Sequence, residues 1–367
     1  MDNQQLLDIV SSFRIQGTPS EIQPLGNGLI NDTFMVRTAE NDKPDYVLQR
    51  INNDIFKDVE LLQNNIQAVT SHIRKKLKTK GEPDIDRKVL TFVETAGGKT
   101  YVQDNNQKYW RMMVFIAHAQ TFEAVTPEYA FDAGRAFGHF QSMLTDIPTA
   151  LGESIPDFHN MELRSRQLHE AVDKDAKRRV AETQDIIDEL YLDEREMCKA
   201  EKLYREGLLP KRICHCDTKV NNMLFSEDGQ VLCVIDLDTV MPSFVFSDYG
   251  DFLRTGANFV AEDAPELDKV GFNTEIFKSF TRGYLESAKG FLTSIEIENL
   301  PYAVALFPYM QCVRFLTDYI NGDTYYKIKY PEHNLVRAKN QLMLYRSVRK
   351  HDDFMTGFIR ECLDCEK

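Results

Sequence analysis

Four side chains near the middle of the chain have types and spacing that suit phosphoryl transfer. Asp217, Lys219 and Asn222 lie in the polar stretch His215-Cys216-Asp217-Thr218-Lys219-Val220-Asn221-Asn222. Asp236 follows the apolar run Val231-Leu232-Cys233-Val234-Ile235. Phosphoryl transfer needs little covalent help and much positioning and charge neutralisation. Mg²⁺ takes hard oxygen ligands from one or two side chains, and phosphates and water supply the rest. Asn222 and Asp236 offer an amide oxygen and a carboxylate for that purpose. Asp217 is a candidate to accept the proton of an acceptor hydroxyl, and Lys219 to reach the migrating phosphoryl. The plainer alternative is a polar turn in which Asp217 and Asn222 only shape the backbone. The apolar strand and terminal acid that follow make a chance coincidence of these types a weaker explanation.

The elements that must position these groups can be read around them. Met223-Leu224-Phe225 and Val231–Val234 flank the turn Glu227-Asp228-Gly229, which predicts a hairpin carrying Asn222 and Asp236 to the same end. Asp248 is placed to brace the polar loop by accepting its backbone amides, or to cap a helix. Upstream, residues 4–14 predict a short amphipathic helix. Ile22 to Val36 predicts two strands around a turn containing Gly26-Asn27-Gly28, where glycines let backbone amides approach a phosphate. Tyr46–Arg50, Val89–Phe92, Lys99–Val102 and Tyr109–Ile116 predict further strands, with a helix from about Val59 to Lys76. Beyond residue 118 the pattern is mostly helical: Glu128–Thr145, Glu162–Asp173, Gln184–Glu206 and Thr274–Ser287, then one helix opened by the capping box Thr293-x-x-Glu296 and running past Leu316. Pro308 lies inside that last helix and should bend it. Arg314 and Asp318 share a face there, four residues apart, as an ordinary ion pair or as the lining of a polar pocket.

Composition narrows the class. The 367 residues suffice for two lobes, with 43% hydrophobic and 28% charged residues. A net charge of −13 gives no electrostatic footprint for nucleic acid. No apolar run reaches the roughly 20 residues needed to span a bilayer, and the start lacks a signal-peptide pattern, so the expected location is cytoplasmic. The seven cysteines read as reduced, mostly buried residues, and Cys362-x-x-Cys365 has no second pair to complete a zinc site.

His215-x-Asp217-x-x-x-x-Asn222 and Ile235-Asp236 resemble the catalytic loop and metal-binding acid of the kinase-like fold. The fold implied is α+β and two-lobed: a small, mainly antiparallel β N-lobe over residues 1–117 and a larger, mainly helical C-lobe over residues 118–367. No activation segment follows Asp238, which points to a small-molecule acceptor. Asp217-Thr218-Lys219-x-Asn221-Asn222, Ile235-Asp236-Leu237-Asp238-Thr239, Arg314-Phe315-Leu316-x-Asp318-Tyr319, Gly322-Asp323-x-Tyr325 and Tyr330-Pro331-Glu332-His333-Asn334-Leu335 together resemble the bacterial N-acetylhexosamine 1-kinases. These belong to the aminoglycoside phosphotransferase-like, choline-kinase-like group.

That resemblance implies ATP and Mg²⁺ as cofactors and the anomeric hydroxyl of an N-acetylhexosamine as acceptor. It implies Asp217 and Lys219 as catalytic residues and Asn222 and Asp236 as metal ligands. Asn31, Asp217, Lys219, Arg314, Asp318 and Tyr325 would contact the sugar. Gly26, Asn27, Gly28, Thr33 and Arg50 would hold the nucleotide phosphates, with Phe115, Ile116 and Ala117 at the adenine hinge. Kinases of this fold place a basic residue where Gln49 stands. Either Arg50 is recruited through a bulge or the contact is missing. Glu60, on the following helix, is a candidate partner for that basic residue or a solvated glutamate. Two rival readings follow: a kinase for choline, ethanolamine, homoserine or an aminoglycoside, and a catalytically weak nucleotide-binding protein. No protein partner is evident.

Overall fold

The computed structural model describes residues 3–26 and 31–364. Asn27, Gly28 and Cys365 lie outside the described residues. The chain forms two compact units that are not continuous in sequence, in place of a single boundary at 117/118. The first comprises Met1–Thr121, Asp146–Pro156 and Met223–Met241, and the second Phe122–Thr145, Asp157–Asn222 and Pro242–Lys367.

The first unit is built on a five-stranded antiparallel sheet. Its order is Pro19–Pro24, Asp32–Thr38, Tyr46–Ile51, Tyr109–Val114 and Tyr101–Gln103. Strand alternation sorts the residues onto two faces. Val36, Leu48, Trp110 and Met112 join Leu6, Val10 and Phe13 of the N-terminal segment in one apolar cluster, each all but inaccessible to water. Removing such side chains from water contributes roughly 1.5–3 kcal/mol apiece. The opposite face carries Gln49 and Arg111, directly paired across neighbouring strands. Val89–Phe92 does not become a full strand. It makes one bridge, Phe92 to Met113, beside the part of Tyr109–Val114 that the short strand Tyr101–Gln103 leaves uncovered. The expected hairpin is present as Met223–Ser226 and Val231–Val234, with Ala119–Gln120 paired on its other side.

The second unit is helical. Pro127–Leu144 and Thr274–Ala288 pack backbone to backbone at two glycines. A Cβ on Gly134 would lie 2.1 Å from the Phe280 carbonyl oxygen, and one on Gly283 would lie 2.0 Å from that of Phe131. Phe246–Gly256 is buried over eight consecutive residues and packs against the long helix Leu300–Asn321, which contains Pro308.

Two helices expected to be continuous are broken. Gln184–Met197 and Lys199–Arg205 separate at Cys198, where the Tyr302 hydroxyl donates to the Met197 carbonyl (2.6 Å) and accepts from the Ala200 amide (3.4 Å). A side chain inserted into the hydrogen-bond ladder ends the helix there. The capping box at Thr293 and Glu296 is present, but its helix, Ser294–Glu298, stops before Leu300–Asn321 begins. Pro301, which has no amide hydrogen, sits in the first turn of the second helix. Among the described residues, no helix is long and apolar enough to cross a membrane.

Candidate active site

In the second unit, the polar loop is held from behind by Asp248. This carboxylate is fully buried and accepts from the backbone amides of His215 (3.0 Å) and Cys216 (2.8 Å) and from Gln141 Nε2 (2.7 Å). Thr218 Oγ donates to the Asp248 carbonyl at 2.7 Å. Cys216 takes a positive φ of 63°, a costly conformation that this set of bonds enforces. The loop therefore turns Asp217 toward solvent, its side chain 34% accessible and 3.1 Å from Lys219 Nζ. Asp251, one turn beyond Asp248, has its pKa pushed up to about 6 by burial; Arg254 opposes the shift and the nearby Asp217 charge adds to it.

Asn222 sits in a short 3₁₀ turn after Lys219. Its Nδ2 donates to the Asp217 carbonyl (2.8 Å) and to Asp217 Oδ2 (3.2 Å). With the amide nitrogen tied back, Oδ1 is the atom left to bind a hard cation. In the first unit, Asp236 ends the hairpin as an exposed carboxylate in the left-handed region, φ 58°. Each of the two, the Asn222 amide oxygen and the Asp236 carboxylate, is a hard oxygen donor of the kind Mg²⁺ takes beside phosphate and water. Among the described residues, no cluster of three or more His, Cys, Asp or Glu offers an all-protein metal cage.

Several residues expected at the nucleotide or sugar are otherwise engaged. Arg50 is a correction. The ladder around it is regular, with Asp32 opposite Arg50 and Thr33 opposite Gln49, so there is no bulge to turn Arg50 toward the Gln49 face. Arg50 instead pairs with Asp32 at the surface. Gln49 Nε2 donates to Thr33 Oγ1 at 3.1 Å. Glu60 is solvated, 3.9 Å from Lys99. The Asn31 amide is engaged at both ends, donating to Asp238 Oδ2 (2.7 Å) and accepting from the Asn52 amide (2.9 Å). Gly26 has φ 70°. At the expected hinge the Phe115 amide donates to the Asp45 carbonyl, Ile116 is buried, and Arg87 donates to the Ala117 and His118 carbonyls.

A cleft of about 250 Å³ opens in the second unit between Met161–Lys174 and the end of Leu300–Asn321, with the loop after it as a third wall. Arg314, Asp318 and Tyr325, all expected at the sugar from the resemblance, line it. Arg314 and Asp318 do not pair. Arg314 donates to Gln311 (3.1 Å) and lies over the rings of Phe158 and Tyr326. The Asp318 carboxylate accepts the amides of Thr324, Tyr325 and Tyr326 and Asn334 Nδ2, all at 2.9–3.0 Å. Asp318 thus orders the loop that presents Tyr325, whose ring is 64% exposed. Gly322, at φ 97°, ends the helix in the left-handed conformation that suits glycine.

The charge balance of this cleft is positive. Arg164 lines it beside Arg314, and among the described residues neither forms an ion pair with a carboxylate. Burial first, then Arg314, brings the Arg164 pKa down to about 10. Burial and the charges of Arg314, Arg164 and Arg254 push His159 well below its usual value. Of the two acids on the wall, Asp318 is saturated by N–H donors and Glu170 lies 3.7 Å from Lys174. A buried polar chain leads from here toward the loop: Arg337 lies over Tyr326 and pairs with Glu262, which pairs with Arg254, which pairs with Asp251.

Residues 21–280 match the phosphotransferase enzyme family, APH. The chain belongs to that family. Solved structures share its kinase-like fold at low identity. An aminoglycoside phosphotransferase from Alicyclobacillus acidocaldarius is 13% identical, with TM-score 0.60, over 95% of this chain and 96% of the other. An amicoumacin kinase in complex with AMP-PNP and Ca²⁺ is 13% identical, with TM-score 0.58, over 96% and 94%. A choline kinase from Streptococcus pneumoniae is 14% identical, with TM-score 0.54, over 95% and 98%.

Two residues of this phosphotransferase were not singled out from sequence. Arg111 interrupts the apolar strand Tyr109-Trp110-Arg111-Met112-Met113-Val114, and a charge in such a run must be paired if buried. It is 2% accessible and pairs with Asp238. Arg164 gave no comparable signal, since arginine is ordinary on the outer face of a charge-rich helix.

Proposed function

We propose that this phosphotransferase moves the γ-phosphoryl of ATP, with Mg²⁺, to the anomeric hydroxyl of an N-acetylhexosamine such as GlcNAc or GalNAc. The observation that carries the reading is the second-unit cleft, small and lined by two guanidiniums that, among the described residues, have no carboxylate partner. Its volume lies below the 300–1,000 Å³ usual for drug-sized ligands, which favours one monosaccharide over a multi-ring antibiotic. Its positive balance disfavours choline or an aminoglycoside. The Tyr326 face that could hold a quaternary ammonium already lies under Arg314 and Arg337. A neutral polyhydroxylated acceptor suits guanidinium and phenol donors.

In this reading Asp217 accepts the acceptor's proton, and only modest base strength is needed because an anomeric hydroxyl is more acidic than an ordinary alcohol. Lys219 holds the Asp217 carboxylate and meets the migrating phosphoryl. Asn222 and Asp236 would hold Mg²⁺, whose chemistry is to neutralise charge on the phosphates. Arg314 and Tyr325 contact the sugar, and Asp318 positions Tyr325 through the loop amides. Gly26 and the backbone at 115–117 remain the proposed nucleotide contacts. The amicoumacin kinase complexed with AMP-PNP and Ca²⁺ supports a nucleotide and a divalent cation in this fold.

One rival draws on the same arginines. An acceptor carrying a carboxylate, such as homoserine, would also suit them. An acceptor panel with ATP separates the readings: N-acetylhexosamines, homoserine, choline and an aminoglycoside, with phosphorus NMR of each product. A sugar 1-phosphate from GlcNAc or GalNAc supports the proposal. Turnover of homoserine or choline with none of the sugars rejects it.

A further inference from the structure

We propose that Arg111 is the positioning residue for the metal-binding turn, standing in from the neighbouring strand for the cation that Gln49 does not supply. The proposal rests on the reading of Asp236 as a metal ligand. All the groups involved lie in the first unit. Gln49 and Arg111 are directly opposed in the sheet. Arg111 Nε and Nη2 both donate to Gln49 Oε1, at 3.0 and 2.8 Å, while Nη1 pairs with Asp238 Oδ1. The guanidinium therefore spans from the strand to the turn that carries Asp236, a reach its planar fork provides and a point charge does not.

Asp238 is held on every side. Its Oδ2 accepts from Asn31 Nδ2 at 2.7 Å, its carbonyl accepts from Ser154 Oγ at 2.8 Å, and its side chain is 4% accessible. Two residues earlier, Asp236 adopts φ 58° and ψ 59°, in the left-handed region that aspartate tolerates better than most non-glycine residues. Asp236 stands at the N-terminal cap of the 3₁₀ turn Leu237–Thr239, which contains Asp238. The chain thus spends a fully buried arginine on a carboxylate that itself faces no solvent. An ion pair of this kind is weak evidence for stability, since a neutral pair of similar size often serves as well. It has a purpose if it sets the direction of the exposed carboxylate beside it. Partners one step behind a metal ligand are commonly worth 10–100-fold in metal affinity.

Arg111→Met alone leaves Asp238 charged and buried, so the informative variant is the neutral pair Arg111→Met with Asp238→Asn. Mn²⁺ affinity is measured by the electron paramagnetic resonance signal of free Mn²⁺ with AMP-PNP present, and folding by thermal melting. The neutral pair is expected to melt close to the parent protein yet bind Mn²⁺ at least about tenfold more weakly. Arg111→Lys retains charge without the fork and is expected to be folded, with Mn²⁺ affinity reduced several-fold. It decides the matter if the neutral pair does not fold. Asp236→Asn serves as the control. If it loses Mn²⁺ affinity while a folded Arg111 variant binds as the parent does, the proposal is overturned. If Asp236→Asn itself binds normally, the metal reading beneath the proposal fails.

Discussion

Asp217 has a lysine in ion-pair contact, while the acids behind it, Asp248 and Asp251, are sequestered. A carboxylate in that setting is reachable, and the loop behind it is held through Asp248. Asp217→Asn is therefore expected to fold normally and to bind ATP within a few-fold of the parent, while turnover falls by roughly 10²–10⁴. Calorimetric ATP binding beside steady-state rates would check this, and a rate near the parent's would remove Asp217 from the chemistry. For the cleft, Arg314→Ala is expected to raise the acceptor KM by about tenfold or more while leaving the KM for ATP unchanged; equal loss of both would place Arg314 away from the acceptor. At this scale spacing in the sequence singles out candidate chemical groups and says little about the residues that hold them. Asp217, Asn222 and Asp236 stand out because a short spacing joins them. Asn31 and Asp318, expected at the sugar from the resemblance, are engaged by Asp238 and by the 324–326 amides. Spacing along the chain cannot reveal that.

The helices Pro127–Leu144 and Thr274–Ala288 support the loop indirectly. The first carries Gln141, which donates to Asp248; the second carries Tyr284, whose hydroxyl donates to Gln141 Oε1 at 2.6 Å. Their spacing is set by Gly134 and Gly283, where any side chain would overlap backbone. Gly134→Val is expected to destabilise the fold by about 3 kcal/mol or more, the upper range of overpacking, because a carbonyl cannot yield as a side chain can. Chemical denaturation checks the size. A loss under about 1 kcal/mol would mean that the helices part easily and do not fix Asp248. Most elements were legible from pattern: the hairpin from its turn, the capping box from its residues, the helices from periodicity. The break at Cys198 was not, because its cause, Tyr302, lies over a hundred residues away in sequence. The regular ladder that turns Arg50 away from Gln49 was equally hidden, since register depends on the partner strand.

At the scale of the whole molecule, family and fold follow from broad pattern, while pH response follows from a few buried groups. Glu201 is the clearest. It is 7% accessible, its Oε1 accepts the Met161 amide at 2.6 Å, and its Oε2 has no partner. Burial pushes its pKa from 4.5 to about 7, with the Met161 amide pulling the other way. The folded state then holds a proton that the unfolded chain releases between those two values. Stability from this group is present in full below about pH 4.5, declines as pH rises, and is lost above about 7. The full swing is about 3 kcal/mol, taking 1.36 kcal/mol per unit. Asp251, raised to about 6, adds a decline in the same direction and stays in place when Glu201 alone is changed. Glu201→Gln keeps an oxygen for the Met161 amide and removes the charge. It is expected to match the parent near pH 5 and to exceed it by about 1–3 kcal/mol at pH 8, read from urea midpoints at both values. Parallel curves for the two proteins would mean that Glu201 ionises in the fold as freely as in water. The buried junction of Met161–Lys174 with Lys199–Arg205 would then have to be wetter than its accessibility indicates.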